Sequence, residues 1–383
     1  MHLRDRFLNA VIKHRWKVHP IVGVLGARQT GKTTLLREIL GKQNKIPYFT
    51  LDRPELLKQI KSRPESFILT ETDDFSKQII IDEAHKAPKI FDVLKVLADE
   101  KRTRGIVTIT GSVDFVSVRG VRETLTGRIG LCRLFPMTVA EVLRKPLGTF
   151  WKNRKKSKNI AVEAWIKRGG MPGFCALGND AERSLVIDDW ILSVCERDLP
   201  VLKGARLEGY IAREVLSQIC ADPERPPSKI AAEIGEDTRT VHKHLSALES
   251  LFVIHRVRPL TTGFDRFYVL DAGVAGRLGA SDKTKYTILM INEVLAQHEY
   301  LGLPRPSLFH HTSRGTTKVE LVIKSQNEQF GFAISDHVEI TRSKVRSLES
   351  DRKLFSTLSV LAPVVSHQKL SKDILLEPFS YYC

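Results

Sequence analysis

Between an apolar run and a helical pattern stand Gly26, Ala27, Arg28, Gln29, Thr30, Gly31, Lys32, Thr33 and Thr34, a set suited to holding a triphosphate. Gly26 and Gly31 let the backbone bend until successive N–H groups point inward at a β-phosphate, and the helix that follows adds partial positive charge at its start. Lys32 is placed to reach the β- and γ-phosphates, and the Thr33 hydroxyl to coordinate magnesium. Context separates this from an ordinary glycine-rich turn: Ile21 to Leu25 reads as a buried strand before it, and TTLLREIL as a helix after it. The ligands implied are ATP and Mg2+.

An acid pair completes such a site. The run QIIIDEAHKAP ends an apolar strand at Asp82 and Glu83, about 50 residues beyond the loop. In a parallel sheet, ligands bind beyond the carboxyl ends of the strands, which sets these acids beside the loop. Asp82 would hold the magnesium shell through water, and Glu83 would orient or deprotonate the attacking water. A third run, IVTITG, delivers Thr110 and Ser112 as small polar groups for the γ-phosphate or the water. Arg128, in TLTGRIG, could offset charge on the transferred phosphoryl group, on its own site or on a neighbour's in a homo-oligomer. A surface salt bridge is the competing role for Arg128.

These groups need a scaffold, and the pattern around them is α/β. Ile21 to Leu25, Pro47 to Leu51, Gln78 to Asp82 and Ile106 to Gly111 are short apolar runs, expected as strands of a parallel sheet. Between the last two, Ile90, Val93, Leu94 and Leu97 form an i, i+3, i+4, i+7 helical stripe. The nucleotide domain is therefore drawn over residues 1–148. Residues 149–205 turn helical after the basic run WKNRKKSK, break at GGMPG, and are read as a lid or connector.

Residues 206–280 hold a helix-turn-helix pattern. A helix over Lys229 to Ile234, a turn at Gly235 and a second helix from Thr238 give the short glycine corner this motif needs. Thr238, Arg239, Thr240, Lys243 and His244 lie near the start of the second helix, where phosphates or base edges would be contacted. VIHRVRPLTTGFDRFYVL would be the wing. Such modules also serve as packing or oligomerisation units. Residues 281–383 mix strands and helices without a clear period.

Bulk properties set limits. With 383 residues, 42% hydrophobic and 27% charged, the chain predicts two or three globular domains. No stretch approaches a membrane span, and the charged start lacks a secretory pattern, so a cytoplasmic location is expected. Cys132, Cys175, Cys195, Cys220 and Cys383 are scattered, without a C-x-x-C pair, and are expected as reduced thiols. A net charge of +16 points to an anionic partner such as DNA, with a solubilising surface as the alternative.

In order, GARQTGKTTLL, LDRPELL with RPESF, IIIDEAHKAPKIFDVLKVLADE, TGSVDF, TLTGRIGLCRLFPMTVAE, GGMPG, ERDLP and RFYVLDAGVA cover nearly the whole chain. Together they resemble a prokaryotic family of AAA+-superfamily P-loop ATPases carrying a winged helix and a C-terminal restriction-endonuclease-like domain. The resemblance implies that Lys32, Thr33, Asp82 and Glu83 form the ATPase site with Ser112 as its sensor-like residue. Arg128 falls on the family's glycine-arginine segment and the Arg197–Asp198 pair on its ERDL segment, the latter with a structural ion pair as the simpler role. It also implies a tail with a helix acid, a strand acid and a glutamate-x-lysine pair. Here Thr287 stands for the first acid, Glu320 keeps the second, and Ala333 and Ser335 replace the pair. A metal would lack ligands and water would lack a base, so the tail is expected to be a degenerate, non-catalytic surface.

The reading these features support is an ATP-hydrolysing AAA+-type switch or motor whose nucleotide state sets the orientation of a DNA-contacting winged helix. An ATP-gated DNA-binding regulator without motor activity, and a protein-interaction ATPase, are the alternatives.

Overall fold

Each apolar run between residues 21 and 111 becomes a strand of one sheet in the computed structural model. The structure describes residues 5–113, 125–147, 162–200, 202, 207–313, 317–325 and 328–383. The basic run at 151–158 lies outside them. The chain forms two compact units, one of Met1–Phe135, Ser250–Phe252 and Glu299–Gly302, the other of Pro136–Glu249, Val253–His298 and Leu303–Cys383. The first break thus follows Phe135, earlier than the expected boundary at residue 148.

In the first unit, β1 (Ile21–Leu25), β2 (Tyr48–Thr50), β3 (Ile79–Asp82), β4 (Val107–Gly111) and β5 (Ile129–Arg133) form a sheet in the order β2-β3-β4-β1-β5. All pairings are parallel, with Ile21 opposite both Val107 and Ile129 and Thr50 opposite Asp82. β1, β3 and β4 are buried on both faces, which is why they read as unbroken apolar runs. β5 alternates half-buried and buried residues, and its glycine and arginine hid this edge strand from the sequence reading.

Helix Lys89–Lys101 buries Ile90, Phe91, Leu94, Leu97 and Ala98, so the sequence stripe is its core face. Helix Thr34–Gly41, of π geometry, buries Leu35, Leu36, Ile39 and Leu40. Each such side chain contributes about 1.5–3 kcal/mol relative to exposure. That burial holds the phosphate loop between two anchored elements.

In the second unit, helix Pro227–Ile234 ends at Gly235, whose φ of 71° suits glycine, and helix Thr238–Ser250 follows. Two strands, β6 (Ile254–Pro259) and β7 (Arg266–Val269), pair antiparallel after it, with Ile254 opposite Val269. β6 also pairs parallel with β8 (Ser307–Ser313), Arg258 lying opposite Phe309. The expected division at residue 280 is therefore crossed by a continuous sheet. β9 (Thr317–Ser325), β10 (Glu328–Ile334), β11 (Thr357–Ala362), β12 (Gln368–Lys369) and β13 (Ile374–Pro378) complete it, in the order β12-β13-β11-β10-β9-β8-β6-β7.

The GGMPG and LDAGVA segments meet in this unit. Asp271 accepts from the N–H groups of Gly170 (2.7 Å) and Met171 (3.2 Å), and caps helix Ala272–Arg277 through Gly273 (2.9 Å) and Val274 (3.1 Å). A side chain at Gly169, whose φ is 72°, would bring Cβ within 2.1 Å of the same carboxylate. Both segments are thus accounted for by a structural clasp. Arg197 and Asp198 end the helical turn Ser193–Asp198, with Arg197 exposed and Asp198 half-buried. Helix Val139–Leu143 starts with a capping box between Thr138 and Glu141. Buried Glu293 accepts from Val139 N at 2.7 Å, and burial pushes its carboxyl up to about 8.

All five cysteines are free, and burial pushes the Cys132 and Cys195 thiols up to about 12. Among the described residues, no helix is long and apolar enough to cross a membrane.

Candidate active site

Because β1, β3 and β4 run parallel, their carboxyl ends share one edge, and the loop Gly26–Thr33 and the residues Asp82, Glu83 and Ser112 all follow directly from it. The loop backbone takes positive φ at Gly26 (153°), Gln29 (62°) and Gly31 (97°). A Cβ at Gly26 would lie 2.3 Å from the Leu134 carbonyl oxygen, so only glycine lets the loop leave β1 against β5. Ala27 and Thr30 are buried, Arg28 is half-buried and Gln29 is exposed, while Thr34 opens the helix. Thr30 Oγ1 donates to Ala27 O at 2.9 Å.

Lys32 is 5% exposed, and its Nζ donates to Gly26 O and Ala27 O, each at 2.8 Å. The ammonium thus sits inside the curve of the loop, where it would meet the oxygens of a phosphate. Arg6, unnoticed in the sequence, braces the loop from outside. Its Nη1 donates to Thr30 O at 2.8 Å and its Nη2 to Phe135 O at 2.7 Å.

Asp82 is the hub of the polar network. Oδ2 accepts from Thr33 Oγ1 at 2.8 Å and from Tyr48 Oη, while Oδ1 accepts from Thr110 Oγ1. Thr33 and Asp82 supply hard oxygen donors side by side, the set magnesium takes when phosphates and water complete its shell. This donor chemistry fits the ion. Among the described residues, no group of three or more His, Cys, Asp or Glu is gathered for a metal, and such a site needs none.

Glu83 adopts a left-handed conformation (φ 58°) that turns it out of the strand direction. Its carboxylate Oε2 lies 3.4 Å from Ser112 Oγ, which donates to it, and 3.2 Å from His85 Nδ1. The expected sensor-like residue and the expected water-orienting acid therefore touch. His85 was not singled out from the sequence.

Arg128 is placed elsewhere, which corrects its expected part in this chain's own site. It precedes β5, and its carbonyl accepts from Ile21 N at the amino end of β1, the sheet edge opposite the loop. Five residues of strand span about 16 Å. The guanidinium instead forks onto Asp99, with Nε–Oδ1 at 2.5 Å and Nη2–Oδ2 at 2.7 Å, and holds that carboxyl below its usual range.

The proposed DNA-contacting residues divide as well. Thr238, Arg239 and Lys243 are exposed. Thr240 is half-buried, with both its N–H and its hydroxyl engaged by Asp237 at 2.8 Å. His244 is a correction: it is 1% exposed, Nδ1 facing Thr240 O at 2.8 Å and Nε2 accepting from Glu208 N at 3.1 Å. Helical periodicity turns it inward with Val241, Leu245 and Leu248, and presents His242 outward beside Arg239 and Lys243.

In the tail, the Thr287 hydroxyl donates to Lys283 O at 2.9 Å. Glu320 is buried, pairs through Oε1 with Lys283 Nζ at 2.5 Å, and accepts from Ile334 N at 2.7 Å. Ala333 belongs to the hydrophobic core, and Ser335 Oγ donates to His337 O at 3.1 Å.

Residues 18–143 match a family model described as an AAA domain, and residues 160–284 match a domain of unknown function. Uncharacterized proteins of Mycobacterium tuberculosis and Mycobacterium bovis are each 26% identical over 377 residues, covering 94% of this chain and 80% of the relative. Among solved structures, the Walker-type ATPase of Pyrococcus abyssi is 16% identical, with a TM-score of 0.48 over 72% of this chain and 96% of its own. AMPPCP-bound DnaA from Aquifex aeolicus is 12% identical, with a TM-score of 0.28 over 63% of this chain and 85% of its own. Structural likeness of this degree carries no reading of function.

Proposed function

From an AAA-type nucleotide-binding domain as premise, we propose that the chain is a magnesium-dependent ATPase and that its helix-turn-helix unit, acting as a winged helix, contacts DNA under nucleotide control. The observation that supports hydrolysis is the meeting of Lys32, Thr33, Asp82, Glu83 and Ser112 at one edge of one parallel sheet. A phosphate-binding loop alone would serve binding; the acid pair beside it adds a place for water.

In this reading the loop amides and Lys32 bind the β- and γ-phosphates, the ammonium leaving the Gly26 and Ala27 carbonyls for phosphate oxygens. The Thr33 hydroxyl and, through water, the Asp82 carboxylate would hold the cation. Magnesium supplies neutralisation of charge on the transferring group. Glu83 takes a proton as water attacks the γ-phosphorus and the bond to the β–γ bridging oxygen breaks, releasing ADP and phosphate. Ser112 holds the Glu83 carboxylate for that task.

DNA contact is supported by the net charge of +16 and by Thr238, Arg239, His242 and Lys243 exposed on the second helix. A protein partner is the second reading, and one observation favours it. Leu185 and Leu192, one heptad apart on helix Asp180–Leu192, are 63% and 54% exposed. ATP turnover by the full chain, with and without duplex DNA across a salt series, tests the proposal. Turnover that requires Lys32 and Glu83, with DNA affinity falling steeply as salt rises, is the expected result; no turnover under any condition sinks the ATPase reading.

A further inference from the structure

Asp82 is 2% exposed and carries three hydroxyl donors, yet the nucleotide reading gives tasks to only two of them. The third comes from Tyr48, at the start of β2. Tyr48 lies opposite Ile80, two residues short of Asp82 on the same face of the neighbouring strand. That offset is about 6.6 Å along a parallel pair, and a phenol is long enough to cross it.

We propose that Tyr48 is a positioning residue for the metal-binding carboxylate, its hydroxyl fixing the plane of Asp82 when Thr33 exchanges that carboxylate for magnesium. The inference rests on the nucleotide-site reading above. Thr33 and Tyr48 share Oδ2, and Thr110 holds Oδ1. Once Thr33 gives its oxygen to a cation, a carboxylate tied only by Thr110 is free to turn about its last torsion. With Tyr48 still in place it is held at both oxygens. Outer partners of this kind set the orientation and affinity of the groups that serve a metal.

Tyr48 is suited to remain a donor throughout. Its hydroxyl reaches Asp82 Oδ2 from the neighbouring strand, and the parallel register of β2 on β3 fixes both ends of that contact. The ring packs half-buried under Arg37, whose guanidinium carbon lies 5.9 Å from its centroid. A phenylalanine keeps that packing and loses only the hydroxyl.

The test compares the full chain and its Tyr48→Phe variant by calorimetric titration with ATP, once with Mg2+ and once with EDTA, and by Mn2+ titration followed by electron paramagnetic resonance. Metal-free ATP affinity should stay within about twofold of the parent, while the gain in ATP affinity from Mg2+, and the affinity for Mn2+ in the presence of ATP, fall about tenfold or more. An unchanged metal-dependent gain overturns the proposal. So does an equal loss with and without metal, which would mark Tyr48 as a packing residue. If the parent itself gains no ATP affinity from metal, the reading of the site fails first and takes this inference with it.

Discussion

At Lys32 the ammonium already occupies the centre of the loop, bonded to two carbonyls that a phosphate would replace. Charged hydrogen bonds are worth about 1.5–3 kcal/mol each, so Lys32→Ala should weaken ATP binding at least about a hundredfold by calorimetry. Glu83 touches no other loop-binding task, and Glu83→Gln should keep ATP bound while steady-state turnover drops by about 10²–10⁴. Parent-like turnover in that variant would assign the water to another group. Glu293 gives a pH effect of determinable sign. Its folded value of about 8 stands above the ordinary 4.5, so the buried, protonated form favours folding at low pH. Its contribution is fully present below about 4.5, erodes as pH rises, and is lost above about 8. Melting temperature should therefore decline across that window, and Glu293→Gln should flatten the decline.

Among the elements, the clasp around Asp271 decides how the GGMPG segment is held. Asp271→Ala leaves four backbone N–H groups without their acceptor, and such orphaned groups cost about 1–3 kcal/mol each. A loss of at least about 3 kcal/mol is expected in the denaturant-induced unfolding of the second unit, larger than for a surface substitution. On helix Thr238–Ser250, Arg239→Ala and Lys243→Ala should each lower the slope of log affinity against log salt by about 1, if those side chains meet phosphates. His244→Ala belongs to a different class: it empties a buried position and should change stability, with an unaltered salt slope. His242 and His244 are two apart, and a helix sends such neighbours to different faces.

For the whole molecule, the net charge of +16 predicts that any DNA complex forms through many weak phosphate contacts and loosens as salt rises. Mass measured in each nucleotide state tests whether copies assemble, the circumstance in which Arg128 would face a neighbour's site. The loop, the acid pair and four of the five strands of the first sheet were legible because each is a local matter of apolar runs, turn glycines and adjacent residues. The chain order likewise determined the helix-turn-helix, since Gly235 and the two helical stripes lie within one short stretch. Tertiary structure alone decided the rest. Strand direction put Arg128 at the far edge, pairing in space joined β6 to β8 across an expected boundary, the parallel register brought Tyr48 to Asp82, and packing within the second unit brought the Asp271 carboxylate to Gly170. Local patterns record what a residue does to its own backbone, whereas these contacts depend on which strands lie side by side, and neighbours in a sheet need not be neighbours in the chain.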